Sequence, residues 1–164
     1  PLVVIDTQRR TVCATRDGGY SRFNERTARL CVDLAIEAVR DGVGSIAIIA
    51  PYVEQSRLIR GLLAGYRAEA ERIECRTVHR FQGGERDMVI LDMVDAAPLS
   101  PGVLLAGSSP RSSSRNLLNV SISRARGKLV IISDVDYFKT QAPNGVVNEI
   151  LRRGIRDGMR VEME

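Results

Sequence analysis

Short apolar runs rich in β-branched residues alternate along the chain with segments of helical periodicity, and this alternation constrains the fold most. The runs are residues 2–5, 45–50, 88–94 and 129–133, each bounded by polar residues or glycine. Runs of this length and composition predict buried strands. Because such strands alternate with helices, we expect an α/β fold with a mostly parallel sheet flanked by helices on both faces.

The segments between the strands predict where helices begin and end. One helix begins at Asn24 and stops at Asp41-Gly42, and a second follows Pro51. A shorter helix is expected after Pro143-Asn144-Gly145, and the final polar residues are expected to be frayed. We therefore expect a domain over residues 1–140, with a helix and tail over 141–164 that pack on it or trail from it.

Length and composition are those of an ordinary globular domain. The 164 residues suffice for one core, and 44% hydrophobic with 27% charged residues is a typical balance. The chain opens on an apolar run without an initiator methionine, so we expect it to begin partway along a larger polypeptide. It has neither an apolar run of roughly 18 residues nor a signal peptide, which predicts a cytoplasmic setting without a membrane partner.

The distribution of charge and the positions of the cysteines limit the classes of ligand that we expect this chain to bind. The net charge of +4 permits a polyanionic partner without requiring one. Residues 111–128, however, contain five basic residues and no acidic one, which indicates an anionic ligand there. The three cysteines stand far apart beside a single histidine, so we expect neither a disulfide framework nor a metal site.

The first segment with chemical potential follows the second apolar run. Tyr52 and Gln55 lie at the carboxyl end of that predicted strand, where α/β sheets bind ligands and an aromatic ring can stack on a base. A proline at a helix start followed by a half-buried tyrosine serves equally well in a purely structural role.

The second segment spans residues 76–87. A glycine pair lets the backbone approach a ligand, the Thr77 hydroxyl can donate to a phosphate oxygen, and the Glu85 carboxylate can accept from a ribose hydroxyl. The alternative is a Gly-Gly hairpin turn between two strands, with Glu85 solvated. Taken alone, His79 is a packed or surface histidine, because it has no partner at metal or catalytic spacing.

The third segment spans residues 116–128. Leu118, Ile122 and Ala125 share one face at helical spacing, and Arg124 falls at the edge of that face. A rigidly held guanidinium can direct two N–H donors at phosphate oxygens. The alternative is a solvated basic helix end that complements the helix dipole.

In order and spacing, these segments resemble motifs IV, V and VI of superfamily 1 helicases. The resemblance is to the B branch of these AAA-type ATPases, which contains the nonsense-mediated-decay and immunoglobulin-mu-binding helicases, and it covers residues 2–134. The residues that carry it are Ile49-Ala50-Pro51-Tyr52 with Gln55, Thr77-Val78-His79-Arg80-Phe81-Gln82-Gly83-Gly84-Glu85 with Asp87, Leu118-Asn119-Val120-Ser121-Ile122-Ser123-Arg124-Ala125-Arg126, and Ser21-Arg22-Phe23-Asn24 at the entry to the first helix.

The resemblance implies a RecA-like P-loop NTPase fold and a role for each motif. In this family ATP lies between two RecA-like domains, and this chain would be the second, C-terminal one. Arg124 would then be the arginine finger, Glu85 would contact the nucleotide sugar, and Gly83 would let the loop approach it. The nucleic-acid-binding residues implied by the same match are Thr77, Tyr52, Gln55 and His79.

Two motifs that hold ATP and Mg²⁺ are missing from the sequence. No segment matches a phosphate-binding loop (Walker A) or an acidic Mg²⁺-holding motif. The resemblance therefore places the main anchors of ATP and Mg²⁺ in an N-terminal RecA-like domain of the same polypeptide and predicts that this chain alone is inactive. Among the departures from the family pattern, Ser123 replaces threonine, Thr27 replaces an acidic residue, and Asn116-Leu117 replaces an Arg-Arg pair.

Two function classes remain open beside the motor domain of an ATP-dependent helicase. A non-catalytic RecA-like module that binds nucleic acid or protein is consistent with the Asn116-Leu117 departure. A free-standing α/β enzyme is disfavoured, because no nucleophile–base pair or metal cluster stands in the sequence. Single-stranded DNA and RNA are equally possible partners, since these motifs contact the nucleic-acid backbone, and the resemblance alone suggests 5′ to 3′ movement.

Overall fold

The computed structural model describes residues 1–81, 83–107 and 113–164, and only the backbone of residues 113 and 114. Six strands form one parallel sheet in the order β5-β4-β6-β7-β1-β8, and two short strands, β2 and β3, form an antiparallel pair beside it. The strands are β1 (Leu2–Asp6), β2 (Ala14–Thr15), β3 (Arg22–Phe23), β4 (Ile46–Ala50), β5 (Ile73–Thr77), β6 (Arg86–Asp92), β7 (Ala125–Ser133) and β8 (Met159–Glu162).

Helices cover both faces of the sheet, as the sequence predicts. On β4, Ile46 and Ile48 pack into one core with the first two helices, whereas Ala47 and Ile49 pack into a second core on the opposite face. This alternation follows from the two-residue period of a strand. The helices are α1 (Glu25–Arg40), α2 (Val53–Leu63), α3 (Arg67–Ala70), α4 (Val103–Ala106), α5 (Ser113–Ser123), α6 (Val135–Gln141) and α7 (Val146–Asp157).

Helix α1 shows why the predicted boundaries were accurate. The side chain of Asn24 accepts a hydrogen bond from the Thr27 N–H at 3.3 Å, which satisfies a backbone donor that the first turn leaves free. At the other end, the Asp41 N–H donates to the Glu37 carbonyl at 2.9 Å. Local chemistry at both ends therefore fixes the helix.

The expectation of a frayed C-terminal tail is wrong, because those residues form strand β8. Arg160 is paired with Val4 of β1, and the N–H of the buried Met163 donates to the Asp6 carbonyl at 2.9 Å. The free edge of β1 supplies the hydrogen bonds, and Met159, Val161 and Met163 have the alternation of a strand. Helix α7 packs on β1, so residues 141–164 continue the sheet and its cover.

The hairpin interpretation of residues 76–87 is also wrong. Strands β5 and β6 lie on opposite sides of β4 and run parallel to it. The connection between them must therefore travel from the carboxyl end of β5 to the amino end of β6, which a hairpin turn cannot do.

Two predicted boundaries shift for local reasons. Strand β6 ends at Asp92, two residues earlier than expected, because Val94 has a φ of +62° and leaves the extended path. Helix α5 ends at Ser123, so Ala125 and Arg126 belong to β7 and not to the predicted helical face. The predicted Ser-rich loop core, residues 108–114, lies largely outside the described residues.

Candidate functional site

The residues predicted to bind ligands separate into two groups at opposite edges of the sheet. Gly83, Glu85 and Arg124 lie at the amino ends of β6 and β7, whereas Tyr52 and Thr77 lie at the carboxyl ends of β4 and β5. Strand β6 has seven residues, and at about 3.3 Å per residue the edges are about 20 Å apart. The structure therefore brings together the predicted nucleotide-binding residues and, separately, most of the predicted nucleic-acid residues.

At the amino edge, a backbone hydrogen bond joins the second and third motifs. Arg124 forms the turn between α5 and β7, and its carbonyl accepts a hydrogen bond from the Arg86 N–H at 2.9 Å. Glu85 directly precedes Arg86. The predicted sugar-binding carboxylate and the predicted arginine finger are thus held at one place, although they are 39 residues apart in sequence.

The side chain of Arg124 differs from those of the arginines beside it. Its Nε is buried without a hydrogen-bond partner among the described residues, where it also has no ion pair. Arg86 by contrast pairs with Glu74 at 2.5 Å, and Arg126 pairs with Asp87. Because buried polar atoms are nearly always hydrogen-bonded, Arg124 has donor capacity that the described protein atoms leave unused.

Asp87, in β6, connects the start of that strand to the starts of β4 and β7. Its carboxylate accepts hydrogen bonds from Arg126 and, at 2.9 Å, from the Ser45 hydroxyl, and these bonds lower the pKa of Asp87. A Cβ at Gly127 would stand 2.7 Å from the Asp87 carbonyl oxygen, so only glycine fits there without displacing the backbone. The starts of β4, β6 and β7 are therefore locked together.

The glycine loop before β6 is open to solvent. Gly83, Gly84 and Glu85 are exposed, and Gly83 has a φ of +137°, a conformation that side chains with a Cβ rarely adopt. Glu85 lies close enough to Arg126 to add to the increase in its pKa, which is caused mainly by Asp87. The neighbouring Gln82 lies outside the described residues.

At the carboxyl edge, the first and second motifs meet through their strands. Thr77 is paired with Ala50 in the register of β4 and β5, and the Val78 N–H donates to the Ala50 carbonyl at 3.0 Å. Thr77 is buried at 6% exposure, whereas His79 and Arg80 in the following turn are exposed. The exposed turn thus lies directly beside the end of β5, at the carboxyl edge of the sheet.

Tyr52 is held by a buried carboxylate. Its hydroxyl donates to Asp95 at 3.0 Å, and the Arg22 guanidinium carbon lies 5.8 Å from its ring centroid. Arg22 also pairs with Asp95 at 3.2 Å. Burial, followed by the charge of Asp95, raises the pKa of Tyr52, so its hydroxyl stays protonated as the donor. The hydroxyl is therefore used within the protein.

Gln55 is placed where it cannot reach a ligand. The side chain is fully buried, its Oε1 accepts from the Asn24 N–H at 2.8 Å, and its Nε2 donates to Asp92 at 2.7 Å and to the Asn24 carbonyl at 3.0 Å. Both ends of the amide are used within the protein. The structure therefore gives Gln55 a positioning role between α1, α2 and β6, and direct contact with nucleic acid does not fit this arrangement.

Sequence reasoning missed two buried carboxylates, Asp92 at the end of β6 and Asp95 just after it. Asp92 is fully buried, and burial raises its pKa to about 6 even though Gln55, the Val94 N–H and Thr27 hydrogen-bond it. Asp95 is the carboxylate that holds Tyr52. The available signal was a carboxylate at the end of an apolar strand, since the carboxyl ends of parallel strands converge at one edge.

The parallel sheet, its two helical covers and the junction of the second and third motifs define a RecA-like domain. A family model described as an AAA domain matches residues 1–136, and the chain belongs to this family. Together with the relatives described next, this match confirms the resemblance to superfamily 1 helicases inferred from the motifs.

Three relatives show the extent of the similarity. The chain is 32% identical over 133 residues to the DNA replication ATP-dependent helicase/nuclease DNA2 of Mus musculus, which covers 80% of this chain and 12% of that protein. It is 31% identical over 157 residues to a probable helicase of Dictyostelium discoideum, with 93% and 15% covered. It is 33% identical over 138 residues to the DNA-binding protein SMUBP-2 of Rattus norvegicus, with 82% and 13% covered. The chain thus spans a small part of each relative's length.

Two features are absent from the part of the chain that the structure describes. No group of three or more histidine, cysteine, aspartate or glutamate side chains within residues 1–81, 83–107 and 113–164 is arranged to hold a metal ion. Across those same ranges, no helix is long and apolar enough to cross a membrane.

Proposed function

We propose that this chain is the second motor domain of an ATP-dependent nucleic-acid helicase or translocase, in which Arg124 is the arginine finger. The observation that carries the proposal is the buried Arg124 Nε, which has no partner among the described residues and lies beside the exposed Glu85 loop. The terminal N–H groups of the same guanidinium also have no hydrogen bond or ion pair within the described residues, and because Arg124 is partly exposed, they would donate to a phosphate oxygen from another domain. The names of the relatives, which include helicases and a DNA-binding protein, support the same assignment.

The amino edge of the sheet would face the nucleotide. ATP and Mg²⁺ would be held mainly by an N-terminal RecA-like domain of the same polypeptide, because the sequence has no phosphate-binding loop and the described residues have no metal-ligating cluster. Arg124 would donate to the γ-phosphate, Glu85 would accept from the ribose hydroxyl, and Gly83 would let the loop approach. The ATP site would be complete only when the two domains close on each other.

The carboxyl edge would form part of the single-strand track. Thr77, Tyr52 and His79 lie there, at the opposite end of the strands from Arg124. Because β4 is buried along its whole length and β6 is buried from Met88 to Asp92, movement of the nucleotide edge would carry the track edge with it. ATP binding would thereby draw the domain inward, and hydrolysis would release it to step along the strand. Backbone contacts of this kind suit single-stranded DNA or RNA.

The test is the Arg124→Ala substitution in the full-length protein. We expect the nucleic-acid-stimulated ATPase rate to fall by a factor of about 10³ or more, since arginine fingers contribute about 10³–10⁵ in other phosphoryl-transfer enzymes. Equilibrium binding of ATP should change little. The matched control is Arg29→Ala, which removes an exposed arginine of α1 that pairs only weakly with Glu25, at 3.9 Å.

Unchanged turnover in Arg124→Ala would contradict the proposal. It would instead favour a RecA-like binding module without motor activity. The isolated chain should hydrolyse no ATP in either case, so the measurement has to be made on the full-length protein.

A further inference from the structure

A broad basic cleft lies between α6 and α7, away from every residue of the three motifs. Its volume is about 1050 Å³. Apolar side chains of Val135, Leu151 and Ile155 form part of its wall. The cationic residues that line it are Lys139, Arg152, Arg153, Arg156 and Arg160.

The cleft concentrates the positive charge of the chain. Its five cationic lining residues face two acidic ones, Asp136 and Glu149, so the lining has a charge of +3, against +4 for the whole chain. Arg153 pairs with Glu149, Arg156 with Asp157 and Arg160 with Asp6, whereas Lys139 and Arg152 are exposed and have no ion pair within the described ranges. The positive charge available to an anionic ligand is therefore that of Lys139 and Arg152.

The chemistry of the lining favours a phosphate backbone as that ligand. Four of the five cations are arginines, whose planar guanidinium groups bind phosphate oxygens in a bidentate manner. The apolar wall between them suits the sugars and bases of a flexible strand. An acidic peptide would meet the same charges but would make less use of that wall.

The position of the cleft continues the proposed track. Helix α6 begins directly after the carboxyl end of β7, at the same sheet edge as Thr77 and Tyr52. Strand β7 lies three positions from β5 in the sheet, which corresponds to about 14 Å at the usual strand spacing. A nucleic-acid strand that crosses the ends of β5 and β4 would reach the α6 side of the cleft after about that distance, and Arg152 and Arg156 lie farther on, along the half of α7 that leads to the amino end of β8.

We propose that the α6–α7 cleft is a second phosphate-binding site, which holds the single strand beyond the segment bound by the motif residues. This inference rests on the proposed function, because it needs a single strand at the carboxyl edge. The site adds contacts to the nucleic-acid backbone and none to ATP.

The test is binding of a labelled 30-mer oligothymidylate, and separately of oligouridylate, to this chain over a range of salt concentrations. The variant is Lys139→Glu with Arg152→Glu. The control is Arg67→Glu with Arg72→Glu, two exposed arginines at the amino edge that give the same change in net charge. A neutralising pair, Lys139→Gln with Arg152→Gln, guards against misfolding caused by charge reversal.

We expect the cleft variant to bind roughly tenfold more weakly at low salt, with the slope of log Kd against log salt reduced by about 1.4, because each lost single-strand phosphate contact removes about 0.7. The neutralising pair should change the slope similarly, and the control should not.

Equal weakening of oligonucleotide binding in the cleft variant and in the control would overturn the proposal. The absence of any oligonucleotide binding by this chain would overturn it as well. The Thr77→Val variant distinguishes failure of the proposed cleft site from failure of the proposed function. Weakening by Thr77→Val without weakening by the cleft variant would leave the motif track in place and reject the cleft. Preferential displacement of the oligonucleotide by polyglutamate would assign the cleft to an acidic protein segment and also overturn the proposal.

Discussion

Asp92 shows how a single buried group can position a functional edge. Its carboxylate accepts hydrogen bonds from Gln55 at 2.7 Å and from the Thr27 hydroxyl at 3.0 Å, and thereby joins α2 and α1 to the end of β6. Tyr52 is attached to the start of the same helix α2. The position of the proposed stacking ring therefore depends on a carboxylate that solvent cannot reach.

The raised pKa of Asp92 makes the stability of the domain depend on pH. Its pKa is about 6 in the folded protein against an ordinary value of 3.8. The folded state therefore binds the proton more tightly, and the resulting stabilisation is complete below pH 3.8 and is lost as the pH rises through 6. The shift corresponds to roughly 3 kcal/mol in the free energy of unfolding.

We expect Asp92→Asn to remove this dependence. Urea denaturation of the wild type and the variant between about pH 4 and 7 gives the difference in their free energies of unfolding. We expect the free energy of unfolding of the wild type minus that of the variant to decrease as the pH rises. Parallel curves would mean that Asp92 titrates normally.

At the scale of residues, the sequence predicted positions better than contacts. Motif spacing placed Glu85 and Arg124 in one site, and a backbone hydrogen bond now joins their segments. The burial of Gln55 could not be predicted, because its partner Asp92 is 37 residues away in sequence and comes close only in the folded sheet. Long-range polar partners leave no periodic signal.

At the scale of elements, α1 depends on a buried cap. Besides accepting from the Thr27 N–H, Asn24 donates through Nδ2 to the Val94 carbonyl at 3.0 Å. The same residue thus begins the helix and holds the irregular backbone that follows β6. Loss of its side chain would leave buried partners unsatisfied on both sides.

We expect Asn24→Ala to lower the free energy of unfolding by about 1–3 kcal/mol. Asn24→Ser keeps an acceptor for the cap but loses the contact with Val94, so it should fall between the wild type and the alanine variant. Glu25→Ala changes the next, exposed position and should cost less than about 0.5 kcal/mol. Equal effects of Asn24→Ala and Glu25→Ala in chemical denaturation would contradict the capping role.

Elements with local start and stop signals were predictable, and edge elements were not. Helices α1 and α7 begin where Asn24 and Gly145 signal a start. Strand β8 was missed because it is short and exposed and becomes a strand only through pairing with β1. The end of α5 was misplaced because the apolar spacing of Leu118 and Ile122 continues into Ala125, which belongs to β7.

At the scale of the whole molecule, the parallel sheet separates the residues proposed to act on the nucleotide from those proposed to contact the single strand. The residues proposed to contact the nucleotide lie at the amino ends of its strands, and those proposed to contact the single strand lie at the carboxyl ends. A rigid sheet between them converts a change at one edge into a displacement of the other. Under the proposed function, the domain would therefore need no internal rearrangement to couple hydrolysis to stepping.

The central claim is that Arg124 acts on the transition state of a nucleotide held by another domain. The most direct measurement compares, in the full-length protein, the affinities of wild type and Arg124→Ala for a non-hydrolysable ATP analogue and for MgADP with aluminium fluoride. A group that acts on the transition state should weaken binding of the transition-state mimic by a factor of about 10³ and change binding of the ground-state analogue little. Equal weakening of both ligands, or of neither, would contradict the account.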